Sequence, residues 1–135
     1  MTTTYLVTGC AGFIGSGVAK TLLENGHRVV GIDNLSDYYS PHLKRRRLRE
    51  LFDYPRFYFF MMDLNLSREL ISHCSRFQID AVFHLAAQPG VQFSLESPHQ
   101  TIKNNVDATL SVLEVCRLQQ TSNTLSVAST LFLMV

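Results

Sequence analysis

Tryptophan is absent from this chain, cysteine and proline are sparse, and the charges nearly cancel. The three cysteines, Cys10, Cys74 and Cys116, are odd in number and widely spaced, and no Cys-x-x-Cys occurs. That argues against a disulfide framework or a zinc site, so no metal is expected, and it fits a reducing, cytoplasmic compartment. A net charge of +1 excludes a global pull toward nucleic acid or a membrane surface. No apolar run approaches the ~20 residues of a spanning helix. The apolar stretch Leu131-Phe132-Leu133-Met134-Val135 is far shorter. Met1-Thr2-Thr3-Thr4 leads directly into a strand without a basic region, so no signal peptide is expected. Without one, the glycosylation-like triplets at Asn34 and Asn65 are read as chance.

What is present is a chain of 135 residues, 46% hydrophobic and 17% charged. This composition can bury a core, and the length suits one domain, residues 1–135. Short apolar runs at Tyr5–Thr8, Arg28–Asp33, Arg56–Met62, Ile79–His84 and Thr124–Ser129 read as strands. Between them lie helical patterns. Ile14, Val18 and Leu22 recur at four-residue steps until Gly26. Ser40-Pro41 reads as an N-cap and first helical residue, opening a helix to about Phe52. Ser67 reads as the cap of a short helix. Residues from Gln88 to Ser97 read as a loop. Pro98 opens the longest helix, to about Leu118, with an apolar face of Ile102, Val106, Leu110, Leu113 and Val115. Alternating strands and helices imply an α/β fold, a doubly wound parallel sheet of about five strands.

The segment Thr8-Gly9-Cys10-Ala11-Gly12-Phe13-Ile14-Gly15 joins the first strand to the first helix. A pyrophosphate binds well at a helix N-terminus, where backbone N–H groups and the positive dipole end converge. Close approach requires missing side chains, which Gly9, Gly12 and Gly15 supply. Cys10 reads as a small space-filler. The spacing is one residue longer than G-x-G-x-x-G, so its weight comes from context. Asp33, 18 positions beyond Gly15, ends the second strand. A carboxylate there can accept hydrogen bonds from ribose hydroxyls and would repel a 2′-phosphate, favouring NAD over NADP. Asp63 ends the third strand and suits an adenine amino group. Ala86 and Ala87 follow the fourth strand, where small residues let a cofactor cross the strand tips. His84 reads as a packed strand residue. The basic run Lys44-Arg45-Arg46-Arg47 reads as a solvated helix face, with a phosphate-contacting patch as the alternative.

Together with Gly31-Ile32-Asp33-Asn34-Leu35, His84-Leu85-Ala86-Ala87-Gln88-Pro89-Gly90-Val91 and Asn104-Asn105-Val106, the glycine segment resembles the extended short-chain dehydrogenase/reductases, the NAD-dependent epimerase/dehydratase family. Asp33 to Tyr39, Gln88 to Val91 and Ser94-Leu95-Glu96-Ser97-Pro98 are similar to the UDP-glucuronate 4-epimerase group within it. The resemblance implies that Gly9, Gly12, Phe13, Ile14 and Gly15 cradle the NAD pyrophosphate. It implies that Asp33 and Asn34 hold the adenosine ribose, and that Asp63 and Leu64 contact adenine. Ala86, Ala87 and Asn105 would lie along the cofactor, and Gln88, Pro89, Gly90 and Val91 would face the UDP-sugar. In such enzymes NAD takes a hydride from C4 of the sugar, the keto intermediate turns over, and the hydride returns to its other face. Members are often homodimeric.

The same family uses a tyrosine four residues before a lysine as general base, the lysine charge lowering the tyrosine pKa. No tyrosine here has that partner: four residues after Tyr5, Tyr38, Tyr39, Tyr54 and Tyr58 stand Gly9, His42, Leu43, Tyr58 and Met62. Ser126 to Thr130 resembles the start of the family's serine-rich segment, which puts Thr130 at its catalytic Ser/Thr position. The match stops after Thr130. The expectation is an incomplete NAD-binding Rossmann domain lacking the sugar-nucleotide domain, marginally stable because an apolar strand is left at an edge. The alternatives are a non-catalytic dinucleotide-binding or regulatory fragment and a fragment of a nucleotide-sugar 4,6-dehydratase. Tyr38-Tyr39 and Gln88-Pro89-Gly90 argue against the second.

Overall fold

The computed structural model describes residues 1–37 and 40–119, together with the backbone of 125–126. Tyr38, Tyr39 and Thr130, all named above, lie outside the described residues. Five strands form one parallel sheet in the order β3-β2-β1-β4-β5. They are β1 (Thr4–Thr8), β2 (Arg28–Asp33), β3 (Phe57–Met61), β4 (Ala81–His84) and β5 (Leu125–Ser126). The register runs Thr8 beside Ile32 on one side and beside His84 on the other. The helices are α1 (Phe13–Glu24), α2 (Pro41–Phe52), α3 (Ser67–Cys74), α4 (Val91–Glu96), α5 (Pro98–Ile102) and α6 (Ala108–Gln119). A five-residue π-helical turn, Lys103–Asp107, joins α5 to α6.

Alternate side chains of β1 to β4 enter opposite cores. Leu6, Val30, Ile32 and Val82 pack with Leu70 of α3 and Val112 and Val115 of α6. Val7 and Val29 pack with Ala19 and Leu23 of α1 and Leu48 and Leu51 of α2. A sheet covered on both faces explains why its strands read as unbroken apolar runs rather than alternating ones. Gly31 has a steric reason: a Cβ there would stand 2.8 Å from Cys10 Sγ and 2.7 Å from the Phe57 ring. Cys10 is fully buried, and burial followed by the Asp33 charge pushes its thiol up, so it fills space as expected.

Four expectations are corrected. Residues 88–97 are not all loop, because Val91–Glu96 forms α4. Six residues make fewer than two turns, too few to show a period, and Pro98 ends the element at once. The long helix is interrupted by the π turn. Its buried face is also different: Ile102, Val106, Leu110 and Leu113 are exposed, whereas Thr101, Asn105, Ala108, Ser111, Val112 and Val115 are buried. Ser40 does stand at the N-cap with Pro41 as the first residue of α2, as expected, although it caps without a side-chain bond and its carbonyl accepts from Leu43 N–H at 3.1 Å. Ser67 is already the first residue of α3, with Leu66 at the cap position.

Candidate functional site

The sheet reverses its direction of growth between β1 and β4, because β2 and β3 lie on one side and β4 and β5 on the other. Chains leaving β1 and β4 diverge there, and the crevice beyond the strand tips is where such sheets bind ligands. A cleft lies at this end. It is lined by Gly9, Gly12, Asp33, Asn34, Lys44, Asp63, Leu64, Ala86, Ala87, Gln88, Pro89 and Asn104, among others.

The glycine loop is fixed from below. Gly9 N–H donates to Ile32 O at 2.7 Å, and Gly12 N–H to Gly9 O at 2.9 Å. Gly9 has φ +69°, and a Cβ on it would stand 2.8 Å from Ala86 N. A Cβ on Gly15 would collide with the Gly9 carbonyl. These two glycines are therefore demanded by the loop's own packing. Gly12 differs: its Cβ would meet only Gly9 O, at 3.1 Å, and it lines the cleft. Gly12 also caps α1, and no side chain caps that helix. An anion laid on Gly12 meets uncapped N–H groups and the positive dipole end. Phe13 and Ile14, at the start of α1, are exposed.

Asp33 is buried at 6% exposure and organises its surroundings. Its Oδ2 accepts from Ala11 N–H at 3.1 Å, inside the glycine loop. Its Oδ1 accepts from Leu35 N–H at 2.8 Å, holding Leu35 at φ 52°, a left-handed conformation unusual for a branched residue. Oδ1 also accepts from Lys44 Nζ at 3.3 Å, and the same ammonium donates to Ser36 Oγ at 3.3 Å. The basic run is therefore not simply a solvated face. Lys44 points inward and lines the cleft. Arg47, one turn on, donates to Ala11 O at 3.4 Å and lies over the Phe13 ring at 5.6 Å. Helix α2 thus grips both the acidic residue and the glycine loop. Sequence reasoning missed Lys44 and Arg47. The spacing of three on one helix was the available signal, but the run of four basic residues concealed it.

The remaining residues divide. Asn34 Oδ1 accepts from Ser36 N–H at 3.0 Å, and Asp63 Oδ1 from Asn65 N–H at 2.9 Å. Both are local turns, and both residues line the cleft. Leu64 is buried beside them. Gln88 and Pro89 line the cleft, whereas Phe13, Ile14, Gly15, Gly90, Val91 and Asn105 are not among its lining residues. Gly90, at φ 110°, and Val91 instead start α4. Asn105 is buried and reaches the site through Gln88. Its Oδ1 accepts from Gln88 N–H at 2.7 Å, and its Nδ2 donates to Gln88 O at 3.4 Å. Its neighbour Asn104 lines the cleft, a residue the sequence reading passed over. Among the described residues no group of three metal-ligating side chains converges, and no helix is long and apolar enough to cross a membrane.

A doubly wound α/β sheet, a glycine loop opening a helix at the switch point, and an acidic residue ending the second strand define a dinucleotide-fold protein of the Rossmann class. The chain belongs to the NAD-dependent epimerase/dehydratase family: the family model described as GDP-mannose 4,6 dehydratase matches residues 6–131. It is 43% identical over 113 residues to a UDP-glucuronate 4-epimerase of Thermodesulfobacterium geofontis, covering 84% of this chain and 35% of that one. It is similar to the solved UDP-glucuronic acid 4-epimerase Y149F mutant from Bacillus cereus, in complex with UDP-4-deoxy-4-fluoro-glucuronic acid and NAD. There the TM-score is 0.70 and the identity 35%, over 93% of this chain and 38% of that one. A Thermus thermophilus UDP-glucose 4-epimerase complex with NAD matches with TM-score 0.74 and 32% identity, over 87% of this chain and 35% of that one. The chain spans about a third of the length of the curated relatives it matches.

Proposed function

We propose that this chain is the NAD-binding Rossmann portion, residues 1–135, of a nucleotide-sugar epimerase of the UDP-glucuronate type. The observation that carries the reading is Asp33. It stands at the switch-point cleft, bonded to Ala11 of the glycine loop, with one lone pair of Oδ2 left for a ribose hydroxyl. NAD, when bound, would supply a hydride acceptor and donor at the sugar's C4. The residues of this chain would do the holding. Uncapped N–H groups at Phe13 and Ile14, beside Gly12, would take the pyrophosphate. Asp33, Asn34 and Lys44 would surround the adenosine ribose, and Asp63 and Leu64 the adenine. Ala86 and Ala87 would leave the strand tips low enough for the cofactor to cross, and Gln88 and Pro89 would stand on the sugar side.

The 135 residues contain no Tyr-x-x-x-Lys pair, the proton-transfer group expected of the family, and Thr130 alone would stand at its Ser/Thr position. On this reading the chain holds cofactor without converting sugar. A second reading, a 4,6-dehydratase portion, draws on the description of the matching family model. The likeness to UDP-glucuronate 4-epimerases favours the first.

Calorimetric titration of the purified chain with NAD tests the proposal. NAD should bind, and Asp33→Ala should lose roughly tenfold or more in affinity, as removal of a charged hydrogen-bond acceptor does. Equal affinity in the variant would remove the assignment. With NAD and UDP-glucuronate together, chromatography should find no UDP-galacturonate, and turnover at an ordinary enzymatic rate would overturn the claim of incompetence.

A further inference from the structure

One buried group beneath the cleft has no part in the reading above. His84, the last residue of β4, is 1% exposed. Its Nδ1 stands 2.7 Å from Thr8 Oγ1, and its Nε2 stands 3.1 Å from Thr109 Oγ1 of α6. The neighbours of both hydroxyls decide where the imidazole proton sits. Thr8 Oγ1 already accepts from Leu85 N–H at 3.1 Å and from Ala86 N–H at 3.3 Å. Its own proton is then free to go to Nδ1. At the other end, Thr109 Oγ1 donates to Asn105 O at 2.6 Å, which leaves it an acceptor toward the ring. The Thr109 side places a proton on Nε2, and the Thr8 side requires Nδ1 bare, so together they fix the neutral ring with its proton on Nε2.

The result is a chain of hydrogen bonds all pointing one way. It runs from Ala86 N–H through Thr8, His84 and Thr109 to the carbonyl of Asn105. Each end reaches the cleft. Thr8 precedes Gly9, whose backbone packs on Ala86. Asn105, in the π turn, clasps both backbone groups of Gln88. A π turn carries a looser backbone ladder than an α-helix, so the carbonyl grip of Thr109 bears on where Asn105 rests. Such fully satisfied buried networks fix one arrangement, and breaking one link leaves an unpaired polar group in low dielectric.

We propose that His84 is a positioning residue that joins the glycine-loop side of the cleft to the Gln88 side, holding Asn105 and therefore Gln88 in register with Ala86. The proposal rests on the cofactor reading of the cleft for its function, but not for its geometry. Thr109→Val removes the acceptor of the ring proton and the donor to Asn105 while leaving Thr8, Ala86 and the glycine loop untouched.

Nitrogen-15 NMR of the full chain reads the imidazole directly. Wild type should show one species between pH 6 and 8, protonated at Nε2 and bare at Nδ1. Thr109→Val should leave the proton on Nε2, because Thr8 still donates to Nδ1, but should shift the Nε2 resonance as its acceptor is lost, shift the Gln88 amide, and raise the NAD dissociation constant roughly three- to tenfold, the effect of one buried hydrogen bond. Thr109→Ser, which keeps the hydroxyl, should restore all three. Thr109→Ala is a second cut at the same atom, so that a folding defect in one variant leaves the other to decide. An Nδ1–H ring or an imidazolium in wild type overturns the proposal, and so does a Gln88 amide unmoved in both cut variants. A wild-type chain with the Nε2–H ring and a responsive Gln88 but no affinity for NAD would instead refute the cofactor reading and uphold the link.

Discussion

Asp33 and Lys44 do unequal work although each is the other's counter-ion. The carboxylate takes three donors: two backbone N–H groups and the ammonium. Both side chains are at most a tenth exposed. Removing the carboxylate deprives two backbone amides and an ammonium of a shared acceptor in a nearly dry place, while removing the ammonium leaves a carboxylate that still holds two amides. Asp33→Ala should therefore lower the unfolding free energy by about 3 kcal/mol, and Lys44→Met by only about 1 kcal/mol. Urea unfolding of both variants checks the order, and equal losses would show that the two amides contribute nothing to the carboxylate. Asp33 was legible in the sequence because a strand end after a glycine segment is a fixed place. Lys44 was not, because in Lys44-Arg45-Arg46-Arg47 only the phase of α2 against β2 decides which side chain turns inward.

At the scale of elements, the strands were easy to read and the last helix was not. Val29-Val30 and Leu6-Val7 feed both cores at once, so an uninterrupted apolar run could mean little else in so short a segment. The helix after Pro98 misled because it offers two faces. The more apolar one, Ile102, Val106, Leu110 and Leu113, is exposed. The buried one mixes Thr101, Asn105 and Ser111 with Ala108, Val112 and Val115. Small and polar side chains belong there because that face lies beneath the cleft, where Asn105 reaches Gln88 and Thr109 reaches His84. Apolar residues are not obliged to be inside, and a pattern search that assumes so selects the wrong face. The two faces separate by mutation. Val112→Ala removes two methyl groups from a closed core and should cost about 2 kcal/mol. Leu110→Ser should change the stability of the isolated chain by no more than about 0.5 kcal/mol. Thermal or urea unfolding at low protein concentration checks both, and a larger loss at Leu110 than at Val112 would restore the face the periodicity suggested. The same logic explains α4: a one-and-a-half-turn helix carries no period to detect, and only the glycine at φ 110° before it and Pro98 after it mark its bounds.

The whole molecule's response to acid follows from the one imidazole at its centre. Burial alone lowers the His84 pKa to about 4 from the ordinary 6.5, and no charged neighbour contributes to that shift. The folded state thus keeps the ring neutral while the unfolded chain takes up a proton below about pH 6.5. A state that binds the proton only when unfolded loses ground as pH falls. The stabilisation from this group is fully present above pH 6.5, declines through the interval down to about pH 4, and is then spent. The interval of roughly two and a half units corresponds to a loss on the order of 3 kcal/mol. A loss of that size is a large share of the stability of a small domain. Carboxylates titrate across the same interval, so the contribution of His84 is read as a difference. The slope of unfolding free energy against pH should be flatter in His84→Gln than in wild type between pH 6.5 and 4, with the curves parallel above pH 7. Parallel curves throughout would mean that the ring is protonated in the folded state, and the one-way chain from Ala86 to Asn105 would then lack its acceptor at Nδ1. That chain is what ties β1, β4 and α6 together beneath the cleft, so the acid limit of the fold and the geometry of its site both depend on Nδ1 of His84 remaining bare.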